Sequence, residues 1–309
     1  MKEIRTVALT GATGFIGINI LGVLIRQDIH VRALYRPRSL HKRPDLPGIS
    51  WIEGDLSDPG SLKNLVEGTD AVIHCAGLTK ATRPEDFFRV NTDGTKNLLK
   101  IIQEQELARR FLFISSLAAR HPELSPYATS KLRAERLVKN ECPVPWTILR
   151  PPAVYGPGDR EILPLFKAMD KGIALIPAPR SNRFSLLHVF DLAEAVLELI
   201  LSLKGKKETI EIHDGTPGGY SWSDVINIFE TVKKKRVLPV SIPPFLLKAV
   251  GLAGVAISTL SSQPVMITSW KVRELLHPNW VCNNGMKGNS LAWSPRFTLK
   301  IALENDLVG

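Results

Sequence analysis

Cysteine is scarce in this chain of 309 residues, which contains only Cys75, Cys142 and Cys282. Their spacing matches neither a disulfide framework nor a metal-binding knuckle, so we predict no metal site. Cys75 lies in an apolar run typical of a strand and is interpreted as a small core residue. The low cysteine content favours a reducing compartment, and the cytoplasm is the predicted location.

The chain also lacks a hydrophobic run long enough to cross a bilayer. The most apolar late stretch, Phe245 to Leu260, is too short and is interrupted by Lys248, so we interpret it as a buried or surface-lying helix. No signal peptide is predicted, because a strand pattern and a glycine turn begin almost at once. Hydrophobic residues make up 44% of the chain, which predicts a sizeable core.

Acidic residues are outnumbered by basic ones, and the formal net charge is +10. Basic runs occur at Arg36–Arg43, Lys204–Lys207 and Lys233–Arg236. They have no interleaved aromatic residues and fit no nucleic-acid fold signature, so we predict no nucleic-acid partner and interpret them as solvated faces. Only the first run has a position in the chain that indicates a more specific role.

Short apolar runs alternate with helical patterns throughout the first half of the chain. The predicted strands are Thr6–Thr10, His30–Tyr35, Ile49–Gly54, Ala71–Ala76, Phe111–Ser115 and Trp146–Arg150. The predicted helices are Phe15–Arg26, Pro59–Glu67, Pro84–Gln105 and Ser125–Asn140. This alternation is typical of an α/β fold with a doubly wound parallel sheet and helices on both faces.

The pattern becomes less regular after Arg150. Residues Arg150–Asp159 are rich in proline and glycine and are predicted to form a loop. A strand that becomes a helix near Val189 follows, and Glu208–Gly215 is predicted as another strand. The tail from Pro239 is predicted to be mostly helical, with loops near Pro264 and Pro278.

A glycine-rich turn, Thr10–Gly17, joins the first predicted strand to the first predicted helix. Gly11 permits the tight turn, Gly14 allows close approach of a pyrophosphate, and Gly17 lets the helix pack closely on the strand. The free amides at the helix start would then hold the anion. The chain is therefore predicted to have a dinucleotide-binding domain over residues 1–165. Residues 166–309 are predicted to supply the remaining sheet elements and a smaller, helix-rich substrate lobe.

The second strand ends without the carboxylate that would bind the ribose hydroxyls of NAD. Arg36 and Arg38 follow Tyr35 instead, and guanidinium groups suit the 2′-phosphate of NADP. NADP is therefore the predicted cofactor, with NAD as the alternative, and a merely solvated loop is the competing interpretation. Asp55 after the third strand can accept from the adenine amino group or cap the next helix, although Ser57 or Asp58 suits the cap better.

Tyr127 and Lys131 lie four residues apart on a predicted helix and therefore share a face. An ammonium group near a phenol lowers the pKa of the phenol, which makes the pair an acid–base catalyst for a hydroxyl or ketone. Ser116 follows the fifth strand and can hydrogen-bond the substrate oxygen beside Tyr127. The competing interpretation of Tyr127 and Lys131 alone is a solvated helix face.

These motifs, in this order, resemble those of the extended short-chain dehydrogenase/reductases, also called the NAD-dependent epimerase/dehydratase family. The matching segments are TGATGFIG, GDLSD, HCAG, NTDGTKNLL, FISS, YATSK, RPPAVYGPGD and LLHVFDLAEA, over roughly residues 4–215. The resemblance implies a Rossmann-type domain, a C-terminal substrate lobe, a homodimer, and the catalytic roles given to Ser116, Tyr127 and Lys131. It also implies a supporting role for Asn91, with a helix-packing amide as the alternative.

The complete predicted cofactor site follows from the turn, the strand ends and the resemblance together. It consists of Gly11, Thr13, Gly14, Phe15, Ile16, Gly17, Arg36, Arg38, Asp55, Leu56, Cys75, Ala76, Gly77, Ser115, Tyr127, Lys131, Pro151, Ala153 and Val154. Lys80 and Tyr155 are weaker candidates for the pocket edge. Arg183 is either an anion-binding group or a surface charge. His74, His188 and His213 show no ligand spacing and are interpreted as packing or strand-end residues.

Several functions fit this pattern, and the leading hypothesis is an NADP-dependent oxidoreductase that acts on a small-molecule carbonyl or hydroxyl. A nucleotide-sugar epimerase or dehydratase is the alternative, but Ser116 and Tyr127 are only eleven residues apart, which leaves no room for a sugar-holding insertion. A non-catalytic NADP-binding regulator is a third hypothesis, which the presence of Tyr127 disfavours. A peripheral membrane enzyme acting on a lipid or isoprenoid is a fourth, and a membrane surface is a less favoured partner.

Overall fold

The computed structural model of the chain describes residues 4–105, 109–177, 179–202, 207–261, 265, 267–283 and 293–309. The predicted loop near Pro264 and most of the basic run at 204–207 lie outside the described residues. The first half contains strands β1 (Thr6–Thr10), β2 (His30–Tyr35), β3 (Ile49–Glu53), β4 (Ala71–His74), β5 (Phe111–Ile114) and β6 (Trp146–Arg150). Its α-helices are α1 (Phe15–Arg26), α2 (Pro59–Val66), α3 (Pro84–Phe87), α4 (Gly94–Gln105) and α5 (Pro126–Glu141). A π-helical segment, Phe88–Asp93, joins α3 to α4.

The second half contains more and shorter elements. Its strands are β7 (Ala153–Tyr155), β8 (Ile173–Ile176), β9 (Arg183–Phe184), β10 (Leu186–His188), β11 (Glu208–Glu211), β12 (Tyr220–Ser221), β13 (Leu238–Ser241) and β14 (Asn279–Trp280). Its helices are α6 (Leu163–Asp170), α7 (Val189–Leu201), α8 (Trp222–Lys233), α9 (Pro244–Ser261), α10 (Ser269–Leu276) and α11 (Leu299–Glu304). No helix in the described part of the chain is both long and apolar enough to cross a membrane.

Seven strands form one parallel sheet in the order β11-β6-β5-β4-β1-β2-β3. The predicted doubly wound parallel sheet is therefore confirmed. Apolar residues of α1 and α7 pack on one face of this sheet, and those of α2, α4 and α5 pack on the other. Both faces are buried because the strands are apolar on both sides, as in β4, where all four residues are buried.

A third apolar core lies in the C-terminal lobe. It includes Tyr155, Phe166 and Phe229, together with Leu299 and Leu303 of α11. Three small sheets surround it: β10 with β7, β13 with β8, and the trio β12-β9-β14. The second half thus adds β11 to the main sheet and builds a separate lobe of helices and short strands.

Two predictions for the second half were wrong. Residues Arg150–Asp159 are not all loop, because Ala153–Tyr155 form β7 and pair in parallel with β10. The tail is not yet helical at Pro239, since this proline lies within β13, and the helix begins only at Pro244. Proline is tolerated in β13 because the strand belongs to a ribbon of only two strands, where one edge needs no hydrogen-bond donor.

Candidate active site

The glycine turn after β1 is held by contacts that leave no space for side chains. Gly11 has a φ of +75°, and a Cβ atom there would lie 2.6 Å from the backbone nitrogen of Ala76. A Cβ atom at Gly17 would lie only 2.0 Å from the carbonyl oxygen of Gly11. At Gly11 the turn therefore packs directly against the residues that follow β4, and at Gly17 helix α1 packs closely on the turn itself.

The glycine turn lies at the point in the seven-stranded sheet where the strand order reverses, since β1 lies between β4 and β2. The chain leaves β1 toward β2 on one side, whereas β4 lies on the other side of β1, and this arrangement opens a crevice at the carboxyl ends of both strands. Gly14 begins α1 with an extended backbone and no side-chain cap, and it is exposed. The first turn of α1 has no acidic residue, so its amide groups are available to a diphosphate. This crevice fits a dinucleotide.

The predicted 2′-phosphate contacts lie just after β2. Arg36 is half-buried, and burial together with the nearby charge of Arg38 lowers the pKa of its guanidinium group. Neither arginine forms an ion pair with a carboxylate among the residues that the structure describes. Tyr35 is turned away from this position, because its hydroxyl donates to Glu53 at 2.8 Å. Two close guanidinium groups make a positively charged site here, with the Asp55 carboxylate near both of them.

Asp55 lies beside these arginines rather than at a helix start. Its carboxylate accepts hydrogen bonds from the Ser57 amide at 3.0 Å and the Ser57 hydroxyl at 2.8 Å. The cap of α2 is Asp58, which accepts from the amides of Gly60 and Ser61 at 3.0 and 3.2 Å. Of the two cap candidates predicted, Ser57 and Asp58, the cap is Asp58, and Asp55 lies beside Arg36.

Ser116 and Tyr127 meet at the carboxyl end of β5. Ser116 follows this strand and begins a short 3₁₀ helix, Leu117–Arg120. Tyr127 is the second residue of α5, whose first turn is fixed by the Ser125 side chain accepting from the Ala128 amide at 3.0 Å. The Ser116 hydroxyl lies close enough to the Tyr127 phenol to act on its pKa, and the Tyr127 ring packs edge-on against Phe87. The predicted pair of hydroxyl groups is thus brought together.

The pKa of Tyr127 is raised to about 12, mainly because burial disfavours the phenolate. The Ser116 hydroxyl acts in the opposite direction but does not overcome burial. This result corrects the expectation that the pKa of Tyr127 is lowered. At neutral pH the phenol therefore keeps its proton and is available as an acid.

Lys131 shares the face of α5 with Tyr127, but its ammonium group points to the sheet. Its Nζ donates to the carbonyl oxygen of Ile114 at 2.7 Å and lies 4.5 Å from the centre of the Phe113 ring. A Cβ atom at Gly77 would be 3.6 Å from this Nζ, so Lys131 reaches the crevice beside the loop after β4. Burial lowers the pKa of Lys131 to about 8.

The charges that act on the Tyr127 phenol come mainly from the second half of the chain. Glu274 raises its pKa, Lys271 lowers it, and Glu161 raises it. Lys271 donates to Glu274 at 3.1 Å, and the other carboxylate oxygen of Glu274 accepts from the Ser125 hydroxyl. Sequence reasoning missed Lys271 and Glu274, because α10 carries no motif and lies far from Tyr127 along the chain.

Asn91 connects three parts of the site. Its side-chain oxygen accepts from the Leu78 amide at 2.7 Å, and its side-chain nitrogen donates to the Leu78 carbonyl at 3.1 Å and to the Ser130 hydroxyl at 2.9 Å. It is buried within the π-helical segment, which frees its side chain to reach across to α5. Of the two interpretations left open for Asn91, this arrangement favours a support for the loop that follows β4.

Other predicted residues have simpler surroundings. Ser115 is buried and donates to Glu135 at 2.6 Å, so its side chain is turned to α5. Cys75 is half-buried, and burial raises its pKa to about 12. Pro151 is buried, and its carbonyl accepts from the Leu117 amide, whereas Ala153 is exposed on β7. Thr13 lies in the turn and Phe15 and Ile16 begin α1, whereas Val154 packs on the core that contains Ala12 and Leu56 packs on the opposite core beside Gly94.

The weaker candidates are occupied by contacts within the protein. Arg183 donates to the carbonyls of Gly218 and Gly219 at 2.7 and 2.8 Å. Lys80 pairs with Glu161 at 3.3 Å. His74 lies between the hydroxyls of Thr10 and Thr95 at 2.7 and 3.0 Å, and burial lowers its pKa to about 3, so it is a neutral packing residue as predicted.

The sheet, the glycine turn and the crevice define a dinucleotide-binding α/β protein, and comparison with known proteins agrees. Residues 7–212 match the NAD-dependent epimerase/dehydratase family. The chain is 35% identical over 279 residues to a ceramide reductase of Caulobacter vibrioides, covering 89% of this chain and 85% of that protein. It is 27% identical over 241 residues to a UDP-glucose 4-epimerase of Vibrio cholerae, covering 69% and 72% of the two chains.

A solved structure has the same fold. MoeE5 in complex with UDP-glucuronic acid and NAD superposes with a TM-score of 0.72 at 21% identity, covering 97% of this chain and 96% of that one. The protein belongs to the NAD-dependent epimerase/dehydratase family, which confirms the resemblance seen in the sequence. It is an enzyme of the oxidoreductase and epimerase type found in this family.

Proposed function

We propose that the protein is an NADPH-dependent reductase that converts a ketone on a long-chain lipid into an alcohol. The observation that carries this proposal is the Tyr127 phenol on the first turn of α5, placed beside Ser116 at the carboxyl end of β5 and kept protonated by burial. A phenol with a pKa of about 12 keeps its proton at neutral pH, so the proton that a carbonyl reduction requires is present on Tyr127.

Each residue of the site has a separate task in this reaction. The bound cofactor would supply hydride to the carbonyl carbon. Ser116 would donate a hydrogen bond to the carbonyl oxygen and hold it beside Tyr127, which gives its proton as negative charge develops on that oxygen. Lys131 would face the ribose of the nicotinamide half from its position beside Gly77 and Ile114.

The preference for NADPH rests on Arg36 and Arg38. Burial and the charge of Arg38 both lower the pKa of Arg36, although the charge of Asp55 acts in the opposite direction, and a 2′-phosphate beside the two guanidinium groups would add a favourable charge. The glycine turn and α1 would bind the diphosphate that NADH and NADPH share. Selection between the two cofactors therefore depends on these two arginines.

The lipid ketone is favoured by the 35% identity to a ceramide reductase over most of both chains. A nucleotide-sugar epimerase is the second candidate, supported by the identity to UDP-glucose 4-epimerase. The segment between Ser116 and Tyr127 favours the lipid, since it consists of two short 3₁₀ helices, Leu117–Arg120 and Pro122–Leu124, and contains no extension that could hold a sugar.

Turnover distinguishes these two candidates. The purified protein would be mixed with NADPH and a 3-keto long-chain lipid, and the loss of NADPH absorbance would be compared with the alcohol formed. We expect one NADPH to be consumed for each alcohol. Conversion of a UDP-sugar with no net change in the cofactor would identify an epimerase and would overturn the reductase proposal.

The cofactor preference has its own test in the Arg36→Ala variant. We expect affinity for NADPH to fall about tenfold or more, the range of one lost charge-assisted hydrogen bond, while affinity for NADH is unchanged. The control is Lys42→Ala, which removes an exposed charge at the end of the short 3₁₀ helix Pro37–Lys42 that follows Arg36. Equal affinity of the unaltered protein for NADH and NADPH would refute the proposed preference.

A further inference from the structure

Helix α9 has its small residues turned inward. Gly251, Gly254 and Ser258 lie on its buried side. A Cβ atom at Gly251 would lie 2.9 Å from the Val272 side chain, and one at Gly254 would lie 1.9 Å from the carbonyl oxygen of Ile267. The helix therefore packs closely on α10 and on the segment before it, through a surface of little apolar area.

Leu247 is buried, but five other large apolar residues of the same helix are turned to solvent. The exposed fraction is 74% for Phe245, 66% for Leu252 and 55% for Ile257, and Leu246 and Val250 are also exposed. We refer to these five residues as the α9 apolar face. A surface helix of a globular protein normally places such residues against the core. In α9 the apolar side faces solvent instead, and the side with small residues faces the protein.

The ribbon of β8 and β13 adds to this surface. Ile173 pairs with Leu238 and Leu175 pairs with Val240, and all four side chains are exposed on the same side of the ribbon. Only Ile242 and Pro243 separate β13 from α9. The exposed apolar residues thus continue from the ribbon into the helix.

Cations outnumber carboxylates beside these apolar residues, where Glu230 accepts from the Val237 amide at 2.7 Å and the exposed Asp170 precedes Lys171. Residues 231–261 contain five basic side chains and neither aspartate nor glutamate. Lys234, Lys235 and Arg236 are exposed immediately before β13, and the exposed Lys171 precedes β8. Since Leu238 donates to the carbonyl of Gly172 at 2.8 Å, these cations lie together at one end of the ribbon.

We infer that the α9 apolar face and the ribbon dock on an anionic lipid bilayer. Exposed apolar side chains would enter the boundary between headgroups and acyl chains, while the lysines and Arg236 pair with anionic headgroups. Lys248 lies on the exposed side of α9, and a lysine there can place its stem along apolar groups and its ammonium group in water. This helix lies on the membrane and does not cross it.

The position of α9 connects the docking surface to the candidate active site. Its buried side packs on α10, and α10 carries Lys271 and Glu274, whose charges act on Tyr127. A single helix thus separates the docked surface from the phenol. This inference deepens the proposed function, since a lipid ketone would enter the site from the bilayer that α9 contacts.

Vesicle sedimentation tests docking without any turnover. The full chain would be mixed at low salt with vesicles of phosphatidylcholine alone or with one third phosphatidylglycerol. We expect binding to the anionic vesicles only. The double variant Phe245→Glu with Leu252→Glu should fall to background, and neutralising Lys234, Lys235 and Arg236 to glutamine should weaken binding about a hundredfold.

Matched variants control for apolar exposure and for net charge. Leu46→Glu changes another exposed leucine, and Lys63, Lys96 and Lys100 changed together to glutamine remove the same charge elsewhere. Both should bind like the unaltered chain, and retained NADPH affinity would show that every variant is folded. Because binding is measured without substrate, a protein that docks but reduces no ketone would refute only the proposed function.

Two results would overturn the inference. One is the absence of binding to anionic vesicles at low salt. The other is a stable dimer in solution that Phe245→Glu with Leu252→Glu converts to a monomer, with no vesicle binding, since the α9 apolar face would then be covered by a second copy of the chain.

Discussion

The protonation state of the Tyr127 phenol is set by burial and by neighbours from distant parts of the chain. Ser116 approaches it from β5, whereas Lys271 and Glu274 approach from α10. Burial, with these charges around it, keeps the phenol protonated at neutral pH. Under the proposed function, this residue therefore acts as an acid toward a developing alkoxide and not as a base.

Replacing Tyr127 by phenylalanine should reduce kcat about 10²- to 10⁴-fold, the usual contribution of a positioned general acid. Affinity for NADPH should change little, because the ring and its contact with Phe87 remain. Steady-state kinetics and a cofactor titration would measure the two effects. A variant that kept full activity would show that another group supplies the proton.

Lys131 should make cofactor affinity depend on pH. The pKa of its ammonium group is lowered to about 8, so the charge is present below this pH and is lost above it. We expect affinity for NADPH to fall as the pH rises through about 8, and Tyr127, with a pKa of about 12, to add nothing in this range. Titrations at several pH values would measure the fall.

The control for this pH dependence is Lys131→Met. It should bind NADPH weakly at every pH, because it has no charge to lose. If the unaltered protein showed constant affinity across pH 8, the ammonium group would have no part in holding the cofactor.

Sequence reasoning identified Ser116, Tyr127 and Lys131 because each has a fixed relation to a strand end or to a helix turn. It failed on the direction of the Tyr127 pKa, because burial depends on what covers the site. Lys271 could not be found either, since no local pattern shows that α10 returns to the start of α5. The sequence predicted which side chains lie near one another, but it did not predict their electrostatic surroundings.

At the scale of elements, the π-helical segment allows one side chain to hold two loops. Asn91 fixes the backbone of Leu78 after β4 and the hydroxyl of Ser130 on α5. Ser130 in turn donates to the carbonyl oxygen of Tyr127 at 2.7 Å. The loop beside the crevice and the helix of the phenol therefore move as one unit.

Asn91→Ala should reduce the free energy of unfolding by about 1–3 kcal/mol for each buried group left without a partner. It should also lower kcat, because α5 loses its connection to the loop after β4. Urea unfolding and steady-state kinetics would measure these effects. Asn97→Ala is the control, since it removes one hydrogen bond to Leu56 from the same helical stretch. Equal effects of the two variants would contradict this role.

The bounds of the early elements were predicted closely. β1, β2, β6 and α1 begin and end at the predicted residues, because apolar runs, glycines and prolines mark their ends. β7 and β13 were missed because each contains or follows proline, which removes a hydrogen-bond donor and normally argues against a strand. Both lie in two-stranded ribbons, and their existence depends on partners that sequence patterns do not reveal.

At the scale of the whole molecule, a buried carboxylate joins the Rossmann sheet to the end of the chain. Asp191, at the start of α7, accepts from the amide of Arg296 at 3.0 Å and from that of Phe297 at 2.8 Å. It is fully buried, so these hydrogen bonds have no water to replace them. The tail that carries α11 is thereby fixed against the face on which α1 and α7 pack.

Asp191→Asn should lower the free energy of unfolding by about 1.5–3 kcal/mol, because an uncharged amide replaces a carboxylate that accepts from two backbone amides. Glu194→Gln on the same helix should cost less than about 1 kcal/mol, since its ion pairs with Arg26 and Arg296 are at the surface. Urea unfolding monitored by tryptophan fluorescence would compare the two. Similar losses would show that the tail is held in another way.

The close approach of Gly11 to Ala76 has a consequence for the growing polypeptide on the ribosome. Half of the dinucleotide crevice comes from the turn after β1 and half from the residues after β4, so the nascent chain acquires it only once β4 has emerged and paired. Until β4 pairs with β1, one edge of β1 has unpaired backbone groups that can associate with other strands. A polypeptide truncated before β4 would therefore be prone to aggregation and would lack the half of the crevice needed to bind the dinucleotide.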